Sequence, residues 1–145
     1  MRTEWLILAD HADIVGNKLY LNGGGWDVLS VLNAFPSQRM VGIAAAFRVE
    51  WNETNQRHNV EIEVLSADGA SLAKVGGQFE VGRPPGLPPG QAQRAQLALN
   101  VGLNVPAPGV YEIVSRIEGQ EDSRTAFNVV SGPALPQFNQ PPQQS

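Results

Sequence analysis

The chain contains no cysteine, which excludes disulfide staples, a thiolate nucleophile and sulfur-ligated zinc. A cysteine-free composition suits a reducing compartment, so a cytoplasmic location is expected. Long apolar runs are also missing. The N-terminal stretch from Trp5 to Ala9 is too short for a signal-peptide core, and no segment approaches the roughly 20 apolar residues that a spanning helix needs. Neither export nor membrane insertion is therefore expected, and the sequon Asn52-Glu53-Thr54 is not expected to meet a glycosylation machinery. Clustered positive charge is absent as well: 10 Lys and Arg stand against 14 Asp and Glu, and the basic residues are scattered singly. Backbone-phosphate binding draws its affinity from clustered cations, so the sequence argues against a nucleic-acid partner.

What is present describes one domain of β-structure. A chain of 145 residues closes a single core without staples. Hydrophobic residues at 42% and charged residues at 17% exclude a disordered chain, while 15 Gly and 11 Pro signal many turns. Period-two alternation organises most of the sequence. Val60, Ile62 and Val64 alternate with Asn59, Glu61 and Glu63; Leu97, Leu99, Val101, Leu103 and Val105 alternate with polar or small residues; Tyr111, Ile113 and Ile117 alternate with Glu112, Arg116 and Glu118. Further strands are expected over 3–10, 18–31 with an interruption, 39–51, 71–81 and 124–130, separated by turns such as Ala67-Asp68-Gly69-Ala70 and Pro106-Ala107-Pro108-Gly109. About eight strands at near-regular spacing predict an all-β, antiparallel β-sandwich over 1–131. The one candidate helical turn is 91–96.

Three segments leave their geometry open or need separate treatment. Asn22-Gly23-Gly24-Gly25 is either a hairpin turn or a bulge within one bent strand. Arg83-Pro84-Pro85-Gly86-Leu87-Pro88-Pro89-Gly90 is a stiff surface connection rather than a polyproline ligand. Residues 132–145 are rich in Pro and Gln without apolar periodicity, and they read as a tail that need not pack.

No constellation of residues points to catalysis. Asp10, His11 and Asp13 have the side chains of a metal or acid–base site, but adjacent residues on a strand point to opposite faces. The triple glycine is not followed by the Lys and Ser or Thr of a phosphate-binding loop. Neither Ser30 nor Ser115 sits in a nucleophile-elbow pattern. Glu61 and Glu63 share the wet face of a strand, where solvation explains them. Within 40–50, Val41, Ile43, Ala45, Phe47 and Val49 form one face, and Gly42, Ala44 and Ala46 make the other unusually smooth. Such a face admits close approach, so a packed segment of the same chain, or a second copy in a homo-oligomer, is expected on it.

Asn17-Lys18-Leu19, then Gly23 or Gly25, Trp26-Asp27-Val28-Leu29, Pro36 and Arg48-Val49-Glu50 together resemble an uncharacterised group of short bacterial all-β proteins, over the chain as far as Val130. The resemblance implies an immunoglobulin-like sandwich and a bacterial source, and it carries no activity and no catalytic residues. Pro108-Gly109-Val110-Tyr111, followed by a turn and 124–129, is similar to the last hairpin of immunoglobulin-like domains, with Tyr111 placed for a tyrosine corner.

The expected function is a non-catalytic binding or assembly module, not an enzyme, with no cofactor and a protein partner. The second expectation is a calcium-type metal-binding domain using acidic loops, and the third, weaker one is a hydrolase built on Asp10, His11 or His58. Strand parity gathers loops 52–57, 83–91 and 119–123 at one end of the sandwich. The turn holding His11 and Asp13 joins them if the triple glycine is a bulge, and Gly24 and Trp26 join if it is a hairpin turn. Trp51, Asn52, Glu53, Asn55, His58, Glu121 and Asp122 are the candidate partner-binding residues, because loops on a rigid scaffold are where binding residues concentrate. The tail should be dispensable, since it lacks the apolar surface to offset its ordering entropy. Truncation after Val130 is expected to leave the melting midpoint unchanged.

Overall fold

The structure, a computed structural model, describes residues 1–133. Nine strands follow one another among these residues: β1 (Arg2–Val15), β2 (Lys18–Gly24), β3 (Val28–Val31), β4 (Ser37–Val49), β5 (Arg57–Leu65), β6 (Ser71–Glu80), β7 (Gln93–Val105), β8 (Gly109–Ile117) and β9 (Gln120–Ser131). They form a four-stranded sheet in the order β2-β1-β4-β7 and a five-stranded sheet in the order β3-β9-β8-β5-β6. All pairings are antiparallel except β3 with β9, which is parallel. Alternation drives this arrangement. Val41, Ile43, Ala45 and Phe47 on β4 meet Val60, Ile62 and Val64 on β5, Tyr111 and Ile113 on β8, and Phe127 and Val129 on β9 in one buried core.

The count exceeds the expected eight because 18–31 divides between the sheets. β2 belongs to the first sheet and β3 to the second, so the triple glycine is neither a hairpin turn nor a bulge. It closes β2 and carries the chain across. The hairpin turn lies earlier, at Gly16 and Asn17, which have φ of 56° and 62°, the left-handed pair that a tight two-residue turn requires. β1 correspondingly extends past the expected 3–10, so Asp10, His11 and Asp13 sit within a strand rather than in a turn. Residues 91–96 contain no helix; Gln93 begins β7. The Pro-rich connection forms two successive turns, with the Leu87 N–H bonded to the Pro84 carbonyl and the Gln91 N–H to the Pro88 carbonyl, both at 3.2 Å.

Both faces of β4 are covered. Past Ala9, β1 leaves β4 and its continuation, paired with β2, folds across the outer surface of the same sheet. The buried or half-buried positions of this hairpin are Ala12 and Ile14 opposite Leu21 and Leu19, whereas His11, Asp13 and Val15 with Asn22, Tyr20 and Lys18 are exposed. A Cβ at position 42 would lie 2.8 Å from the Ala12 nitrogen and 2.9 Å from the His11 carbonyl carbon, so only glycine permits the crossing. Asn100, next to Gly42 on β7, then supplies what β4 no longer can. Its Oδ1 accepts the Ala12 N–H at 3.0 Å and its Nδ2 donates to the Ala12 carbonyl at 2.8 Å. Gly42, Ala44 and Ala46 are thereby buried within the chain itself, and the surface offered above for a second copy is occupied by the chain's own hairpin. The double covering also explains the unbroken apolar run from Trp5 to Ala9. A register shift between Thr3 and Trp5 sends Leu6 and Leu8 toward the core, while Trp5, Ile7 and Ala9 lie beside Ala46, Ala44 and Gly42 on the hairpin side.

At the C-terminal end, the Gly132 N–H bonds the Val31 carbonyl at 2.9 Å, and Ser131 belongs to β9. Gly132 therefore joins the hydrogen bonding of the second sheet, residues 134–145 of the expected tail lie outside the described ones, and a truncation that spares the sheet should follow Pro133.

Gly42→Ala should destabilise the protein by about 1–3 kcal/mol, the usual cost of overpacking. Gly77→Ala, whose new Cβ meets nothing within 4 Å, should change stability by well under about 1 kcal/mol. Urea denaturation of the two variants checks this, and equal midpoints would contradict the crossing.

Candidate functional site

Strand direction gathers the loops as parity requires. β4 ends, β5 starts, β6 ends, β7 starts, β8 ends and β9 starts at one end of the sandwich. The element that joins them is neither His11 with Asp13 nor Gly24 with Trp26. It is the N-terminus, because β1 begins opposite Arg48 near the end of β4.

Trp51–Glu53 forms a single 3-10 turn after β4. The Glu50 N–H bonds Glu53 Oε1 at 3.0 Å, and Thr54 Oγ1 donates to the Trp51 carbonyl at 2.7 Å. Thr54 is buried because Arg83, arriving from the Pro-rich connection, closes over it. Arg83 Nε donates to Thr54 Oγ1 at 2.7 Å, its Nη2 donates to the Trp51 carbonyl at 2.9 Å, and its guanidinium carbon lies 3.9 Å from the Trp51 ring centre. An exposed cation–aromatic contact contributes about 0.5–1 kcal/mol, so the two hydrogen bonds matter as much as the stacking. Asn55 turns the chain with φ of 58° and donates its N–H to the Val81 carbonyl at 2.7 Å. Asn52 is exposed, and its carbonyl accepts Gln56 Nε2 at 2.8 Å.

His58 is buried beneath this turn. Its Nε2 lies 2.7 Å from the Glu53 carbonyl, which can only accept, so this nitrogen carries a proton. Nδ1 is 3.5 Å from Glu118 Oε1, and the ring packs 6.0 Å from that of Phe79. The Glu53 carboxylate meets the Met1 ammonium. The other side of the site is tied down in the same way: Asp122 accepts the Thr3 N–H, and Glu121 pairs with Arg124. Thr3 Oγ1 and the buried Ser115 hydroxyl share a hydrogen bond of 2.8 Å. All seven candidate residues thus belong to one end, linked through the N-terminal residues and Glu118. Sequence reasoning missed the partners Arg83 and Glu118. A lone cation beside a Pro-rich turn and a Glu-Gly turn were the available signals, but neither names its contact across the fold.

Glu53, Glu118 and Glu121 titrate below their ordinary values. For Glu118 the causes are the Asn59 backbone N–H, then the Asn59 side-chain amide, with His58 adding to them. Arg124 lowers Glu121. Burial pushes Glu53 upward, but the Met1 ammonium, the Glu50 N–H and His58 outweigh it. Among the described residues no three His, Asp or Glu side chains converge on a point that would hold a metal ion; Glu61 and Glu63 both bind Arg116, at 2.7 and 2.9 Å. Asp10, His11 and Asp13 lie on the exposed surface of the β1–β2 hairpin, remote in register from this end. No helix among the described residues is long and apolar enough to cross a membrane.

The two sheets and the loop end they hold define an all-β protein of sandwich-like architecture. The chain belongs to DUF6941, a family of unknown function whose model matches residues 4–130. No curated protein matches it.

A carboxylate whose folded pKa is depressed stabilises the fold above its unfolded pKa, about 4.3 for glutamate, and loses that contribution as pH falls through the folded value. Stability against urea is therefore expected to hold near neutrality and to fall as pH drops below about 4.3. Glu118→Gln should make the decline shallower, and an identical acid limb in this variant would remove Glu118 from the account.

Proposed function

We propose that the protein is a non-catalytic binding or assembly module, an immunoglobulin-like sandwich of the bacterial cytoplasm that meets a protein partner with its loop end. The observation that carries the reading is cross-loop fixation. The Asn55–Val81 bond, the Arg83 contacts with Thr54 and Trp51, and the Thr3–Asp122 bond hold three separate connections in one arrangement. Asn52, Asn55 and Glu121 remain exposed on it. Loops ordered before binding lose little entropy when a partner arrives. Trp51 and Arg83 are residue types that anchor protein interfaces, and both stand at the centre of this arrangement.

Two features support the immunoglobulin-like assignment. The short β3 runs parallel to the last strand, and the Tyr111 hydroxyl donates to the Ala107 carbonyl four residues upstream at 2.5 Å, a tyrosine corner. Fold alone does not specify activity, so the reading rests on the loop end.

The test compares proteins captured from the native cell by the wild type, by Trp51→Ala, Asn55→Ala and Glu121→Ala, and by Asp68→Ala at the opposite end. A partner retained by the wild type and Asp68→Ala, and lost by the loop-end variants with unchanged melting curves, is the expected outcome. Equal retention by all folded variants would refute the assignment.

A further inference from the structure

The end of the sandwich opposite the candidate loops carries a cleft of about 560 Å³ between the β3–β4 connection, the start of β4 and Pro133, a volume in the range of small-ligand sites. Among the described residues its one charged lining residue is Arg39. On β4, Arg39 shares its phase with the core residues Val41 and Ile43 and lies opposite the fully buried Leu103. The side chain therefore starts on the inner face, at the mouth of the core, where a cation is costly unless its head reaches polar partners. Arg39 Nη1 donates to the Ser30 carbonyl at 2.6 Å, which orients the guanidinium and uses one of its five N–H groups.

Among the described residues the rest of that fork meets no carboxylate. Arg39, like Arg2, Arg57 and Arg83, has no carboxylate within 4.0 Å among the described residues, whereas Arg48, Arg94, Arg116 and Arg124 each stand beside an acidic side chain. On an acidic chain of net charge −4, this cleft offers an oriented cation with no carboxylate within 4.0 Å among the described residues. Ser37, Asn33 and Gln38 also line it, and Leu32, 74% exposed, forms an apolar rim.

We propose that this cleft binds a small carboxylic acid bearing a short apolar group, its carboxylate held two-pronged by Arg39 and its apolar part laid on Leu32. The planar guanidinium matches a carboxylate in that geometry. Nothing in the proposal depends on the loop end, so either reading stands or falls without the other.

The test follows backbone amide signals of the isotope-labelled protein by NMR during titration with N-acetyl-L-leucine, with its neutral counterpart N-acetyl-L-leucinamide, and with inorganic phosphate. Saturable shifts confined to residues around Ser30, Leu32 and Arg39 are expected with the acid, and responses at least roughly tenfold weaker with the other two probes. Arg39→Gln, which removes the charge and the two-pronged donor but keeps a polar amide, should keep its melting midpoint and lose the response to the acid. Absence of saturable shifts, an equal response to the amide or to phosphate, or an undiminished response in folded Arg39→Gln would overturn the proposal. Should that variant fail to fold, the acid–amide comparison on the wild type decides alone.

Discussion

The contact on which most of this architecture depends is the passage of the His11–Ala12 backbone directly over the α-carbon of Gly42. It places a polypeptide layer on the outer face of β4, so that a central strand is buried on both sides and its small residues become a necessity. Backbone polar groups taken from water must find partners, and leaving one unmade costs about 1–3 kcal/mol. Asn100 answers this requirement at both the N–H and the carbonyl of Ala12. Glycine, alanines and one asparagine thus act as a unit. Their arrangement fixes where β1 turns away from β4, and with it the division of 18–31 between two sheets.

The two ends of the sandwich contrast in how their charges are disposed. At the loop end the ionic and polar groups close on one another: Glu53 on the N-terminus, Asp122 on the Thr3 backbone, Glu118 on Asn59 and His58, and Arg83 on Trp51. Such a surface is ordered in advance. What it presents to a partner is shape, amides and a stacked aromatic. At the other end the Arg39 guanidinium is oriented by a backbone carbonyl and has no carboxylate beside it among the described residues. One end is therefore suited to a broad contact and the other to a small ion.

The strands were legible where one face is wet. β5, β7 and β8 follow from alternation, because their outward positions are mostly polar or small, although Glu63 and Val114 are buried there. β1 and β4 were harder to delimit, since covering on both faces removes the contrast that alternation records. The hairpin turn at Gly16 and Asn17 was hidden for a related reason: it is followed by Leu19 and Leu21, whose apolar phase matched a longer strand just as well. Parity of the later strands sufficed to bring loops 52–57, 83–91 and 119–123 together, as that inference needs only the number of strands between them. The contacts within the site, Arg83 on Trp51 and Glu118 beside His58, connect positions 32 and 60 residues apart, and no local pattern encodes such a pairing.

The parallel pairing of β3 with β9 joins residues 28–31 to 128–131, and β3 has no other neighbour in its sheet. During synthesis, β3 emerges early and then waits for almost the whole remaining chain before its ladder can form. Contacts so distant in sequence are closed slowly. The nascent protein therefore passes through a state in which the β1–β2 hairpin and the antiparallel strands can assemble while one margin of the second sheet stays open, with Leu29 and Val31 still in water. Arrival of β9 is what lets β3 close that margin.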